Sequence, residues 1–250
     1  DGRYLSKHPA EELIPALEAL MEAALYRQED DVMVEVKPHP TDQSRAILMS
    51  AVEDRPFIVS SILHALRLSG AVVIRNFNSI ALTRRDTTGR LTDVSLSGGL
   101  PESFTWLEFS TTGMSTSLEE LKASAMSMLS ACSIITSDYD KLQIALETAA
   151  DYHDANPAET HQDASRFIRW ILQDHFLILG LRHIDAAGEL RQVLGSARLE
   201  GRLAMISSSN PKNDQRFNIN PHISIRKTSK ESWLYRRGQL DFLTLKLPGD

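Results

Sequence analysis

Apolar and polar positions follow two different periods along this chain, and each change of period marks an element. The run Ala46-Ile-Leu-Met-Ser-Ala-Val52 is apolar except at Ser50, a length that suits a strand buried on both faces. Glu53-Asp-Arg-Pro56 ends the run, and Ile58, Ile62, Leu63, Leu66 and Leu68 then recur at helical spacing. Asp54 is placed to cap this helix, because its carboxylate can accept from the first-turn N–H groups. Pro56 stands near the first helical position, where a missing N–H costs nothing. Gly70 offers the left-handed stop that a helix end needs, and a second strand follows it. A strand, a tight acidic turn, a helix and a strand make half of a small-molecule-sensing domain rather than half of an active site.

The flanking pattern extends that unit. Residues 9–27 predict an amphipathic helix with Leu13, Ile14, Leu17, Leu20, Met21, Ala24 and Leu25 on one side. Val32 to Val36 alternates in the strand manner and Pro38-His-Pro40 ends it. Val72 to Leu82 reads as a strand, Arg85-Asp-Thr-Thr-Gly89 as a hairpin turn, and Thr92 to Leu96 as a weak returning strand. After the Ser97–Pro101 loop, Phe104-Thr-Trp-Leu-Glu-Phe109 has the aromatic chemistry of a strand. Ser117 and Glu120 form a capping box for a helix with Leu118, Leu121, Ala125, Met128 and Leu129 inward. Ile134-Ile135 is a short strand candidate, and Asp138 to His153 a further helix. Asp154-Ala-Asn-Pro157 is the expected domain boundary.

Beyond it, Thr160 to Gln173 predicts a helix with Ala164, Phe167, Ile168 and Ile171 inward, and Phe176 to Arg182 a strand. His183 to Gly188 turns the chain into a second strand ending near Val193. Gly195 to Phe217 has little apolar periodicity, and Ser207 to Asp214 is expected to be a loop. His222 to Lys227 and Leu240 to Leu247 close a mostly antiparallel set. The organisation expected is an N-terminal helix and strand over 1–44, a first domain over 45–155 and a second over 158–250, itself incomplete.

Composition narrows the function classes. With 250 residues there is room for one large domain or two ordinary ones. A net charge of −6 argues against bulk attraction to nucleic acid or anionic membranes. No apolar run is long enough to span a bilayer and no signal peptide opens the chain, so a cytoplasmic location is expected. Cys132 is the single cysteine, which rules out an internal disulfide and suits a small buried residue among Ala131, Ser133 and Ile134. The opening Asp1 and the closing Leu-Pro-Gly-Asp read as cut ends, so a fragment of a longer polypeptide is expected.

Catalytic signatures are missing. No GxGxxG, P-loop, GxSxG, HExxH or CxxC occurs, and the Gly98-Gly99 pair precedes a strand rather than a helix. His175 and His183 flank one short predicted strand, where a separation of eight residues leaves them about 26 Å apart, too far to share a metal. Asp151-Tyr-His-Asp154 resembles a hydrolytic set, but solvated cap residues are expected at that helix end, with His153 favouring the dipole. Arg236-Arg237, with Lys227, Lys230, Trp233 and Tyr235, reads as a solvated strand turn rather than a nucleic-acid patch. No catalytic, cofactor or metal residue is assigned.

Three segments carry a family likeness. Ile47-Leu-Met-Ser-Ala-Val-Glu-Asp-Arg-Pro-Phe-Ile-Val-Ser-Ser-Ile62, Ala164-Ser-Arg-Phe-Ile-Arg-Trp-Ile-Leu-Gln-Asp-His-Phe-Leu-Ile-Leu-Gly-Leu-Arg182 and Trp233 to Lys246 resemble the N-terminal, non-catalytic region of the large bacterial NAD-specific glutamate dehydrogenases. Asp54, Pro56 and Phe57 match the first motif of that family, and Phe167, Trp170, Asp174, His175, Phe176 and Gly180 match the second. The resemblance implies an α+β chain, an ACT-like (ferredoxin-like βαββαβ) domain followed by a PAS-like antiparallel-sheet domain. It implies a parent enzyme that deaminates glutamate to 2-oxoglutarate with NAD, with its catalytic domains beyond residue 250 and no cofactor in this segment. An amino-acid effector is then expected at Asp54, Arg55, Pro56 and Phe57, with Arg55 as a forked carboxylate donor. Ligand-binding ACT domains place glycine where this chain has Phe57, whose bulk should fill the effector space. The rival expectation is a structural module that assembles homo-oligomers without a ligand.

Overall fold

In the computed structural model, residues 10–28, 31–95, 97–200, 203, 216–234 and 238–247 are described. The chain divides into a unit of residues 1–132 and a unit of residues 133–250. The predicted loop at 207–214 and the Tyr235-Arg236-Arg237 turn lie outside the described residues.

The first unit is built on β1 (Met33–Pro38), β2 (Arg45–Glu53), β3 (Val72–Arg85), β4 (Leu91–Ser95) and β5 (Leu100–Ser110). They form one antiparallel sheet in the order β1-β2-β5-β3-β4. The apolar run at 46–52 is β2, and its burial on both faces follows from its place between β1 and β5. Between β2 and β3 runs helix α2 (Ile58–Ser69), which crosses over so that β5 lies between the two strands it joins. Gly70 ends α2 as expected, with φ +79 and its N–H donating to Arg67 and Leu66 carbonyls. A Cβ there would stand 2.7 Å from the Gly113 carbonyl oxygen.

One expectation of topology fails. Ile134-Ile135 is not a strand but part of helix α3 (Leu118–Ser137). The sheet edge beside β2, which a βαββαβ order gives to its last strand, is taken by β1 from upstream of the unit. Two isoleucines inside a continuous helical stripe favour helix over strand, and the capping box strengthens that helix. Ser117 N–H donates to Glu120 Oε2 at 2.7 Å, and the Glu120 N–H donates to Ser117 Oγ at 3.2 Å.

Register explains the two faces of the sheet. Leu48 pairs with Leu107 and Ala46 with Phe109, and all four are buried on the same side as Val34 and Val36 of β1. On the opposite side Met49 pairs with Trp106 and Ala51 with Phe104. Helix α1 (Ala10–Ala23) packs on that side through Ala16, Ala19, Leu20 and Ala23, together with Ala24 just past its end. The predicted leucine stripe is therefore only partly the buried one, since Ile14 is 51% and Leu17 39% exposed. Alanines let the helix backbone approach Phe104 and Trp106, which supply the bulk.

An ion network ties this helix end to the sheet. Glu102, on β5, receives Arg85 Nε at 2.7 Å, Arg85 Nη2 at 2.9 Å, Thr83 Oγ1 at 2.7 Å and Arg27 Nη2 at 3.1 Å. Arg85 Nη2 also donates to the Ala24 carbonyl at 3.0 Å, one of the acceptors a helix leaves open at its end. Next to it the β3–β4 turn closes at Gly89, where φ is +82 and a Cβ would meet the Arg27 carbonyl oxygen at 2.6 Å. Glu108, also buried on β5, is held by Arg45 from β2 and Arg75 from β3.

The second unit has helices α4 (Tyr139–Asp154) and α5 (Glu159–Trp170), a π-type turn (Ile171–His175), and two antiparallel sheets. One sheet pairs β6 (Gly180–Ile184) with β7 (Leu190–Gly195), and the other has the order β10-β9-β8. Here β8 is Arg216–Asn220, β9 is Ile223–Glu231 and β10 is Gln239–Leu245. The predicted strand at 176–182 begins only at Gly180, because Asp174 takes a left-handed backbone (φ 62) and His175 stacks on Trp170 with ring centroids 4.5 Å apart. Strand β8 is not among the elements the pattern predicts, and only its first two residues fall in the weakly periodic stretch that ends at Phe217. Asp138 precedes α4 without a side-chain cap, and its buried carboxylate instead accepts from Gly195 N–H and Arg198 Nη1, each at 2.9 Å.

Candidate functional site

The acidic turn leaves the sheet where β2 ends. Asp54 N–H donates to the Pro101 carbonyl at 2.9 Å, and so holds the turn against the start of β5. Arg55 folds back on the strand it has just left, Nη2 donating to Glu53 Oε2 at 2.6 Å and Nε to the Glu53 carbonyl at 3.3 Å. The Pro56 carbonyl accepts from the Cys132 thiol at 3.1 Å. Phe57 is then the residue at which the helix begins.

Asp54 does not cap α2. The capping position is Phe57, with φ 75 and ψ 4, and no side chain caps the helix. The chain bends at Pro56-Phe57 before helical geometry starts at Ile58, which leaves Asp54 and Pro56 outside the cap and first helical positions. The Phe57 carbonyl opens the helix by accepting from Ser61 N–H and Ser60 Oγ, each at 2.9 Å. A left-handed backbone costs a residue with a Cβ about 1–2 kcal/mol. Phenylalanine thus occupies a conformation suited to glycine, and the surrounding bonds hold it there.

Electrostatics around the turn are modest. The Cys132 thiol is pushed up to about 11, by burial first and against the nearby Arg55 charge, so it is a neutral packing group and hydrogen-bond donor near pH 7. The Arg55 guanidinium is the forked donor that a carboxylate ligand would need, and Glu53 already engages it. Asp54, Arg55, Pro56 and Phe57 therefore sit together on one turn, bonded to Pro101, Glu53, Cys132 and the first turn of α2 respectively.

The strand-turn-helix unit and its sheet match the family model described as "Glutamate dehydrogenase, ACT1 domain" over residues 3–125. The first unit is an ACT1 domain of that family. The chain is also similar to the NAD-specific glutamate dehydrogenase of Halomonas elongata, 29% identical over 158 residues. That alignment takes in 59% of this chain and 10% of the relative, so the chain spans only a small part of its length. Within the ACT1 domain, the turn between the first helix-flanking strand and α2 is where the residues of the family likeness fall.

Chemistry that sequence reasoning missed lies in the second unit. His153 is fully buried rather than a solvated cap, and His161 and His222 converge on it. The flanking Asp151 and Asp154 instead pair with Arg169, so Asp151, His153 and Asp154 do not form a hydrolytic set. His153 and His161 stand on opposite sides of the break at 154–157, and His222 comes some sixty residues later. No local motif carries such a grouping. Among the described residues no helix is long and apolar enough to cross a membrane.

Proposed function

We propose that this chain is the N-terminal regulatory and assembly segment of a large NAD-specific glutamate dehydrogenase. The parent enzyme would oxidatively deaminate glutamate to 2-oxoglutarate with NAD, on catalytic domains outside these residues. The observation that carries the reading is the ACT1 match over residues 3–125. The second unit would be the PAS-like module that follows it, the enzyme would work in the cytoplasm, and the segment itself would be non-catalytic.

The effector would act at Asp54, Arg55, Pro56 and Phe57. A ligand carboxylate would take Arg55 from Glu53, an exchange between two carboxylates that leaves the guanidinium paired throughout. Coupling from such a turn to a distant catalytic site is worth about 1–3 kcal/mol in allosteric proteins. Thermal unfolding of the chain against the twenty amino acids, 2-oxoglutarate and nucleotides tests this. Ligand at a hundred times its dissociation constant adds about 2.7 kcal/mol to the unit that binds it. A selective rise in midpoint that Arg55→Ala abolishes is the expected result, and a rise that Arg55→Ala leaves intact sinks the assignment.

A second reading rests on a specific observation. Arg55 is already paired at 2.6 Å and Phe57 stands where ligand-binding relatives of this fold would have space. Both suit a module that assembles subunits and takes no ligand. A screen without any shift, together with a concentration-independent dimer in light scattering, would favour that reading.

A further inference from the structure

We propose that His153, His161 and His222 form a binding site for one divalent first-row transition ion, of the Zn²⁺ class, within the second unit. His153 lies in the last turn of α4, His161 in the first turn of α5, and His222 in the turn between β8 and β9. Their ligand nitrogens all lie within 4.8 Å of one another, and His153 Nδ1 is 2.9 Å from His161 Nδ1. The ring centroids of His161 and His222 are 3.9 Å apart, and each lies within 5.1 Å of that of His153.

Zinc–imidazole bonds are about 2.0–2.1 Å long, so two ligands of a tetrahedral ion stand about 3.4 Å apart and two at a right angle about 2.9 Å apart. The His153–His161 separation already falls in that range. The widest pair must close by about 1.4 Å, a movement open to His161 and His222, which are only half-buried, while His153 is fixed in the core. Three imidazoles suit zinc, copper, nickel or iron, and three protein ligands leave one position open for water. Thr160 Oγ1, 3.4 Å from His222 Nε2, is placed to orient that ring from outside.

Charge around the cluster agrees with neutral ligands. Burial first, then His161 and His222, hold His153 below its ordinary value, and a backbone bond to Lys246 works in the opposite direction. His222 is lowered by burial, by His161 and by Lys246. The exposed Lys246 is the cation that opposes metal binding here, and an ion would have to overcome it. An occupied site would cross-link the α4–α5 corner to the β8–β9 turn, some sixty residues later in sequence, independently of the effector turn in the ACT1 domain.

The test uses the whole chain, stripped with a chelator and titrated with Co²⁺ as a spectroscopic probe and Zn²⁺ by calorimetry. Expected are one equivalent of bound metal, a visible cobalt spectrum of low coordination number that Zn²⁺ abolishes, and a dissociation constant below micromolar. His161→Gln and His222→Gln, at half-buried positions, should each weaken Zn²⁺ binding at least tenfold and remove the Zn²⁺-dependent rise in unfolding midpoint. His175→Gln and His183→Gln, outside the cluster, should leave both unchanged. Binding only at millimolar metal, or binding that survives the His161→Gln/His222→Gln double change, overturns the proposal and leaves a hydrogen-bonded histidine cluster.

Discussion

Glu102 is the residue whose removal should cost the ACT1 domain most. Its side chain is 2% exposed and meets two guanidiniums that are themselves nearly buried, Arg27 at 6% and Arg85 at 10%. Burial alone would raise its pKa from 4.5. The bonds from Arg85, Arg27 and Thr83 overcome that and bring it down to about 2. The difference corresponds to about 3 kcal/mol of stabilisation at neutral pH. Because the folded value lies below the unfolded one, that stability is complete above pH 4.5 and is lost as pH falls through about 2. Glu102→Gln keeps the shape but leaves two buried cations facing a neutral amide, and breaking a buried pair in this way costs about 3–5 kcal/mol. Urea unfolding followed by Trp106 fluorescence, in a background carrying Trp170→Phe and Trp233→Phe, would report the domain alone. A loss below about 1 kcal/mol, with the acid transition of the wild type unchanged in the variant, would show that the network is not what holds α1 to the sheet.

Other changes probe single devices. At Phe57 glycine removes the left-handed penalty while alanine keeps it, so Phe57→Gly should be more stable than Phe57→Ala by about 1 kcal/mol in urea titrations; equal values would mean the turn is unstrained. Gly70→Ala combines a positive φ with a Cβ 2.7 Å from a backbone oxygen, and should cost more than about 1 kcal/mol by thermal unfolding. Ser117→Ala removes half of the capping box and should cost about 1 kcal/mol, read from the same transition. Burial would raise the Asp138 pKa, but Gly195, Arg198 and Lys141 hold it below the ordinary range. Asp138→Asn should therefore lower the stability of the second unit by about 2 kcal/mol, and its urea midpoint should fall on acidification less steeply than that of the wild type.

Local rules read the first unit well because its devices are local. The apolar run of β2, Gly70 after α2, the Asp86–Gly89 hairpin turn and the Ser117–Glu120 capping box each act over a few residues. Failures came where a distant partner decides. Asp54 has the chemistry of a cap, and nothing local shows that Phe57 takes a left-handed backbone and delays the helix to Ile58. Ile134-Ile135 reads as a short strand candidate, and only the fold shows that Met33–Pro38 fills the edge beside β2 while the two isoleucines belong to α3. The buried Glu102 and Glu108 have no signal at all, since their four arginines come from three other segments, the residues after α1, β2 and β3. The effector turn was legible as a motif, whereas Phe57 in a glycine-like conformation was not. The histidine cluster needs three segments folded together before it exists.

The place of β1 at the sheet edge bears on how the chain is made. As synthesis proceeds, β1 and β2 emerge first and can pair as a hairpin. The other edge of β2 must then wait for β5, since Glu53 pairs with Glu102. At about 5–20 residues per second, the roughly fifty residues between them take several seconds. Throughout that interval one side of an apolar strand, Ile47-Leu-Met49 included, has no neighbour, and the Glu102 anchor for Arg27 and Arg85 has not yet been made. Nascent chains should be most vulnerable to mispairing and to chaperone capture between the release of β2 and the release of β5, a window set by strand order alone.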